Sequence, residues 1–211
     1  INTWYMKRFA GLSEDGLSLW YYTDKETNEE KTTTTYSTGD FYLCGDPNPD
    51  LYGGFGTSIT FHGFDLSTQF SYLVGGLTYD YGYAGMMGNP TATSVGNRWH
   101  KDVLKAWSPE NPSSTIPRWH FNDLNTTGSS DRFLIDGSYL NLQNIQVGYT
   151  LPDSWTSHLK IKNLRLYFVC DNVYYWSKRK GLDPRRSISG VGTSGKIAPF
   201  RTYSGGISLQ F

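Results

Sequence analysis

The 211-residue chain has no excess of charge of either sign: 19 Lys and Arg balance 19 Asp and Glu. That balance argues against a nucleic-acid binder, which carries a basic surplus to meet phosphate. Cysteine is nearly absent, with only Cys44 and Cys170, so no disulfide framework is implied. Cys170 stands at an apolar position of a strand pattern, and both thiols are expected to be unpaired. No stretch approaches the roughly 20 apolar residues of a membrane helix. Catalytic motifs are missing too. His62, His100, His120 and His158 have no metal-ligand spacing, and neither a nucleophile elbow nor a phosphate-cradling glycine loop occurs. Asp131 and Asp136 are close in sequence, but nothing pairs them as acid and base. The expectation is a non-enzyme with no metal or organic cofactor. Asn125-Thr126-Thr127 matches a glycosylation acceptor and reads as a chance match. The chain opens on Ile1 with no charged leader and apolar core, as a mature secreted chain or a piece of a longer one would.

What the sequence does have is aromatics, at 16%, and 23 glycines. Its apolar residues are arranged in alternation. In five segments apolar and polar side chains alternate with a period of two, the mark of a strand with two unlike faces. Phe55, Thr57, Ile59 and Phe61 share one face of the first. Phe64, Leu66, Phe70, Tyr72 and Val74 share a face of the second, opposite Asp65, Ser67, Gln69 and Ser71. His62-Gly63 between them predicts a tight hairpin. Ile145, Val147 and Tyr149 oppose Asn144, Gln146 and Gly148. Leu164, Leu166, Phe168 and Cys170 oppose Asn163, Arg165 and Tyr167. Tyr203, Ile207, Leu209 and Phe211 oppose Thr202, Ser204, Ser208 and Gln210. Each segment runs about ten residues, the length of a tilted transmembrane strand. A soluble β-sandwich shares this alternation.

The connectors favour the membrane. Between 61 and 64 the chain turns tightly, whereas about sixty residues separate Gly75 from Asp136. Compact soluble domains seldom carry structureless connectors beyond about 12–15 residues. Outer-membrane barrels alternate short periplasmic turns with long external loops. The segments expected are a β-hairpin over 1–22, a strand hairpin over 51–76, a long extracellular loop over 77–137, a strand pair over 138–174, a second extracellular loop over 175–199 and a final strand over 200–211. With the C-terminus periplasmic, 138–150 runs inward, 161–174 outward, and the turn at 62–63 falls on the periplasmic side. The Thr-rich stretch 23–40 reads as an exposed loop. A helix is expected within 97–107, with Trp99, Val103, Ala106 and Trp107 on one stripe.

Four stretches, "GDPNPDLYGGFGTSITFHGFDLS", "WSPENPSSTIPRW", "DRFLIDGSYLNLQNIQVGYTLP" and "LRLYFVCDNVYYWSKRKGLDP", resemble, in order and spacing, the C-terminal part of the SusC/RagA family. These are TonB-dependent outer-membrane transporters of the Bacteroidetes. The resemblance covers about Gly45 to Phe211, with 1–44 fitting more loosely. It implies an all-β protein, an antiparallel transmembrane β-barrel of about 22 strands around a plug, of which this chain supplies the last seven or so with long extracellular loops. It implies active uptake of oligosaccharides across the outer membrane, or of peptides in some members. The implied partners are a SusD-like surface lipoprotein, TonB through a part of the receptor outside this chain, and outer-membrane lipid and lipopolysaccharide. The terminal aromatic, with Tyr203, Ile207 and Leu209, resembles the signal read by the barrel-assembly machinery. A soluble carbohydrate-binding β-protein and a passive porin-like channel remain alternatives at this point.

Two sets of side chains are candidates for a site. Tyr79, Tyr81, Tyr83, Trp99, Trp107, Trp119 and Trp176 lie in expected external segments, where aromatic faces stack on sugar C–H groups. The competing assignment is an interfacial girdle or loop packing, to which Tyr149 and Trp155 are assigned outright. Asp65, Gln69, Asn163 and Arg165 are expected to face the lumen, because Arg on the lipid face costs about 2–4 kcal/mol at mid-bilayer. The basic run Gly181 to Ser187 is a candidate contact for the lipoprotein or for lipopolysaccharide phosphates.

Overall fold

A computed structural model describes residues 2–92, 98–123, 125–126, 128–156, 161–178, 183 and 199–211. His158, Thr127 of the glycosylation match, and all of the basic run at 181–187 except Asp183 lie outside the described residues. The chain forms two compact units. Among the described residues, one gathers those within 2–48 and 76–136; the other gathers those within 49–75, 137–183 and 199–211.

The second unit is a five-stranded antiparallel sheet. Its members are β6 (Leu51–Phe61), β7 (Phe64–Val74), β10 (Tyr139–Thr150), β11 (Asn163–Ser177) and β12 (Thr202–Gln210). The order across the sheet is β12-β11-β10-β7-β6, so strands adjacent along this part of the chain are adjacent in space. The β6–β7 turn is the pair His62 (φ 48°) and Gly63 (φ 83°). Two successive left-handed residues make the primed turn whose twist matches its strands, and glycine accepts that backbone without strain. The long connections, 75–138 and 178–201, leave from the opposite end of the sheet.

The register sorts the two faces cleanly. Phe61, Phe64, Tyr149, Leu166 and Ile207 form one row across all five strands, and Ile59, Leu66, Val147 and Phe168 form the next. Most of these side chains are exposed, so the sheet presents one continuous apolar face. Asp65, Ser67, Gln69, Asn144, Gln146, Asn163, Arg165 and Ser208 share the opposite face. The register shifts between Leu142 and Asn144. Gln143 is the extra residue of a β-bulge, which lets Leu140 and Leu142 stay on the apolar face although their parity differs from that of Ile145.

Three expectations need correction here. The long sheet holds five strands, not seven, because the 1–22 hairpin belongs to a separate three-stranded sheet. That sheet is β2 (Phe9–Leu12), β3 (Ser18–Thr23) and β4 (Glu30–Thr33). The stretch 23–40 is therefore not all loop, since β4 lies within it. Strand β11 runs to Ser177 rather than ending at 174, because backbone pairing with Tyr139 to Leu142 continues past the bulge.

The first unit adds two short ribbons to that three-stranded sheet. Strand β1 (Tyr5–Lys7) pairs with β5 (Phe41–Leu43), and β8 (Leu77–Tyr79) with β9 (Leu134–Asp136). The expected loop over 77–137 is therefore closed at its base by a ribbon. It is ordered internally by α1 (Tyr81–Met86), whose first turn Asp80 caps by accepting from Tyr83 N–H at 2.9 Å. The helix expected within 97–107 is a 3-10 helix confined to Lys101–Lys105. Met6, Tyr79, Met87 and Phe133 form the core, with Trp4, Val103 and Ile116 packed against it. Each fully buried Met or Phe contributes about 1.5–3 kcal/mol. Trp20 is sealed separately, edge-on to Phe9 and Tyr36.

Candidate functional site

Seven aromatics were singled out in the sequence, and the structure puts them in four different settings. Tyr79 is core, 3% exposed, and burial pushes its phenol above the ordinary tyrosine range. Tyr83 is half-buried against that core and donates its hydroxyl to Asp102 Oδ2 at 3.1 Å. These two rings, with Tyr81, alternate along the sequence, yet Tyr81 and Tyr83 sit on helix α1 and Tyr79 on β8. Trp107 lies so close over the turn at Gly16 that a Cβ there would meet its ring at 2.3 Å. That contact is packing. Trp176 is not in a loop but in β11, across from Leu140 on the apolar face and edge-on to Tyr174 at 4.8 Å.

Among the remaining loop rings, Tyr81 and Trp119 are exposed and Trp99 is half-buried. Tyr81 lies tilted against Tyr79 at 4.5 Å. Trp99 and Trp119 meet edge to face at 5.6 Å, and both indole N–H groups donate to the Gly88 carbonyl, at 3.1 and 3.4 Å. With those donors satisfied internally, what Trp119 offers to solvent is carbon. Phe121, which the sequence reading passed over, is 58% exposed two residues on.

Two cations of this unit are held away from solvent. Lys7 is buried, its ammonium donating to the carbonyls of Ser37 at 3.2 Å and Gly39 at 2.8 Å and to that of Tyr36, under the Tyr36 ring. Burial pulls its pKa below the usual lysine range, with Asp40 opposing that shift. Arg132 stacks between Phe9 and Phe133, and burial lowers its pKa to about 10. Among the described residues no group of His, Cys, Asp or Glu is arranged to hold a metal ion. Cys44 and Cys170 are both free thiols.

The polar face of the five-stranded sheet carries the second candidate set. Arg165 Nε and Nη2 donate to the two Asp65 oxygens at 2.9 and 2.5 Å, a bidentate pair. It reaches from β7 to β11 across the central strand. Gly148 of β10 lies beneath it, where a Cβ would meet both partners within 2.5 Å. Asn144 donates to Asp171 Oδ1 at 2.7 Å. Gln69 lies over Gly56. Asn163 is at the end of β11, across from Gln210. Gly148 is a member of this set that the sequence reading missed, since only the strand register brings it under two residues a hundred positions apart.

No family model matches the chain. It is 30% identical over 212 residues to the TonB-dependent receptor P3 of Formosa agariphila, an alignment covering 96% of this chain and 20% of that protein. To the TonB-dependent receptor SusC of Bacteroides thetaiotaomicron it is 27% identical, over 84% of this chain and 17% of the relative. Among solved structures, the RagAB peptide transporter superposes with a TM-score of 0.81 at 25% identity, over 99% of this chain and 23% of that one. The RagAB peptide importer in its open-open state gives a TM-score of 0.78 at 26% identity. The chain therefore spans about a fifth of the length of the relatives it matches. In sequence along nearly its whole length, and in fold, it belongs to the SusC/RagA family of TonB-dependent receptors.

Proposed function

We propose that this chain is the wall and external-loop portion of an outer-membrane importer that takes up oligosaccharides at the expense of energy delivered through TonB. One observation carries the proposal: five adjacent antiparallel strands of 9 to 15 residues share one predominantly apolar face, broken by the Thr57–Thr68 pair, whose large side chains are mostly exposed. In water such a face is a liability, whereas against lipid tails it is the required surface. The inner strands β7, β10 and β11 are paired along both edges, the condition that hydrocarbon imposes.

On this reading the face containing Asp65, Gln69, Asn163 and Arg165 lines the lumen. Tyr174 and Trp176 at one end of the apolar face, and Phe61, Phe64 and Tyr149 at the other, are the two interfacial girdles. The C-terminus is periplasmic, and Tyr203, Ile207, Leu209 and Phe211 form the assembly signal. No helix among the described residues is long and apolar enough to cross a membrane, so strands carry the span. A SusD-like lipoprotein captures the ligand with the external loops. In those loops Trp99, Trp119 and Tyr81 are the aromatic platform. A peptide substrate is the second reading, favoured by the likeness to the RagAB peptide transporter.

The reading is tested in the full-length receptor. Ile207→Trp should be quenched by brominated phospholipid in vesicles, and Ser208→Trp should not; equal quenching would remove the lipid-face assignment. Uptake of a fluorescent oligosaccharide by cells should stop when TonB is deleted. Uptake of labelled peptide but not of oligosaccharide would transfer the proposal to peptides.

A further inference from the structure

The Asp65–Arg165 pair lies flat across three strands instead of projecting from the sheet. Gly148 gives it room. Any side chain there would occupy the space of the carboxylate and the guanidinium, at 2.4 and 2.5 Å. Tyr167 supports the guanidinium at 5.3 Å and itself lies flat over Gly206, where a Cβ would meet the ring at 2.4 Å. Gln69 lies over Gly56 in the same way, with its Oε1 2.7 Å from where a Cβ would stand. Long polar side chains on this face are thus paired with a glycine on the next strand. Beside the ion pair is a shallow concavity of about 610 Å³, lined by Gly56, Ser58, Ser67, Gln69 and Asn144, none of them charged.

We propose that Asp65, Gly148 and Arg165 form a charge-neutralising strap that sets the solute preference of the polar wall. Each partner cancels the other's charge, and the glycine keeps both against the sheet. The neighbouring concavity then meets solutes chiefly with hydroxyls and amides, the Asp171 carboxylate being tied to the Asn144 amide, and favours uncharged ones. Without Asp65, the guanidinium becomes a free cation beside that strip and retains anions. This inference rests on the reading that the polar face lines a water-filled interior.

The test places a cysteine at Ser67 in a cysteine-free full-length receptor. The rates of its reaction with a cationic and an anionic methanethiosulfonate reagent are then compared. Ser67 is a diagonal neighbour of Gly148, which sets the guanidinium about 7–8 Å away. One unit charge at that distance in water changes each rate by roughly twofold, in opposite directions. The strapped wall should give the rate ratio of a free thiol. Asp65→Asn should shift that ratio about fivefold toward the anionic reagent, Arg165→Gln should shift it the other way, and the double variant should restore it. Gly148→Ala, with both charges kept, should speed modification of Arg165 by phenylglyoxal. A ratio unmoved by both single variants overturns the strap. A cysteine at 67 inert to both reagents overturns the lumen assignment itself, and the strap with it.

Discussion

Replacing Val147 by Arg asks the sheet which solvent its apolar face meets. Val147 is 42% exposed, between Leu66 and Phe168 in the register, so little packing is lost with it. Strand β10 has 12 residues, about 41 Å at a rise of ~3.4 Å each. Tilted by 35–45°, it covers about 29–33 Å along the bilayer normal, enough for an apolar band of roughly 25 Å. Val147 stands about 8.5 Å from the strand's midpoint along the strand, or about 6–7 Å along the bilayer normal at that tilt. Arg costs about 2–4 kcal/mol at the midplane and 0–1 near the interface, which puts this position at about 2 kcal/mol. Gln146→Arg, one residue away on the opposite face, should stay within about 0.5 kcal/mol. Urea unfolding of the full-length receptor from phosphatidylcholine vesicles, with heat-modifiable gel mobility as the measure of folding, gives both numbers. Equal costs for the two variants would mean that both faces meet the same solvent, and the reasoning would fail.

Lys7→Met should leave three carbonyls without their donor, that of Gly39 buried and those of Tyr36 and Ser37 partly so, a loss of about 2–4 kcal/mol; hydrogen exchange should speed at 36–41 while strands β7 and β10 stay protected. Gly16→Val adds a Cβ against Trp107 at a φ of 72°, and should cost about 1–3 kcal/mol, read as proteolysis within 13–17; wild-type resistance would contradict it. Tyr79 holds its proton more tightly folded than unfolded, because burial raises its pKa. Its contribution to stability is therefore full at neutral pH and is lost as pH rises above about 10. Tyr79→Phe should flatten the alkaline limb of a stability–pH curve, and an unchanged limb would refute this. Trp99→Ala and Trp119→Ala should each weaken oligosaccharide binding by the receptor–lipoprotein complex roughly threefold to tenfold. Unchanged affinity in both would return these indoles to loop packing.

The faces of the long strands could be read from the sequence because burial imposes a period of two whatever the partner strand. Phe64 to Val74 and Leu164 to Cys170 carry that signal along most of their length, with exceptions such as Thr68 and Val169. In β10 it starts late. Leu140 and Leu142 are out of step with Ile145, so only the residues after the bulge were recognised. Trp176 was assigned to a loop for a related reason, since β11 continues through Asn172, a left-handed residue at φ 52°. The first unit was less legible. Strand β4 is Glu-Lys-Thr-Thr, which carries no alternation of its own and is a strand only because β3 pairs with it. Tyr79, Tyr81 and Tyr83 imitate a strand, but the Asp80 cap turns the chain into a helix after the first of them. The strap was invisible, because Asp65, Gly148 and Arg165 become neighbours only through two registers.

The bulge at Gln143 has a consequence for how this wall tolerates changes in length. On either side of it the same strand keeps its oily residues on opposite parities of the numbering, Leu140 and Leu142 against Ile145 and Val147. Gln143 is the position where the two reading frames are joined. Deleting it alone would act like a frameshift in space: either Leu140 and Leu142, or every residue from Ile145 onward, would turn to the wrong solvent. Removing two residues on one side would shorten the strand and leave its faces intact. Length variants of this strand should therefore be tolerated in steps of two and rejected in steps of one.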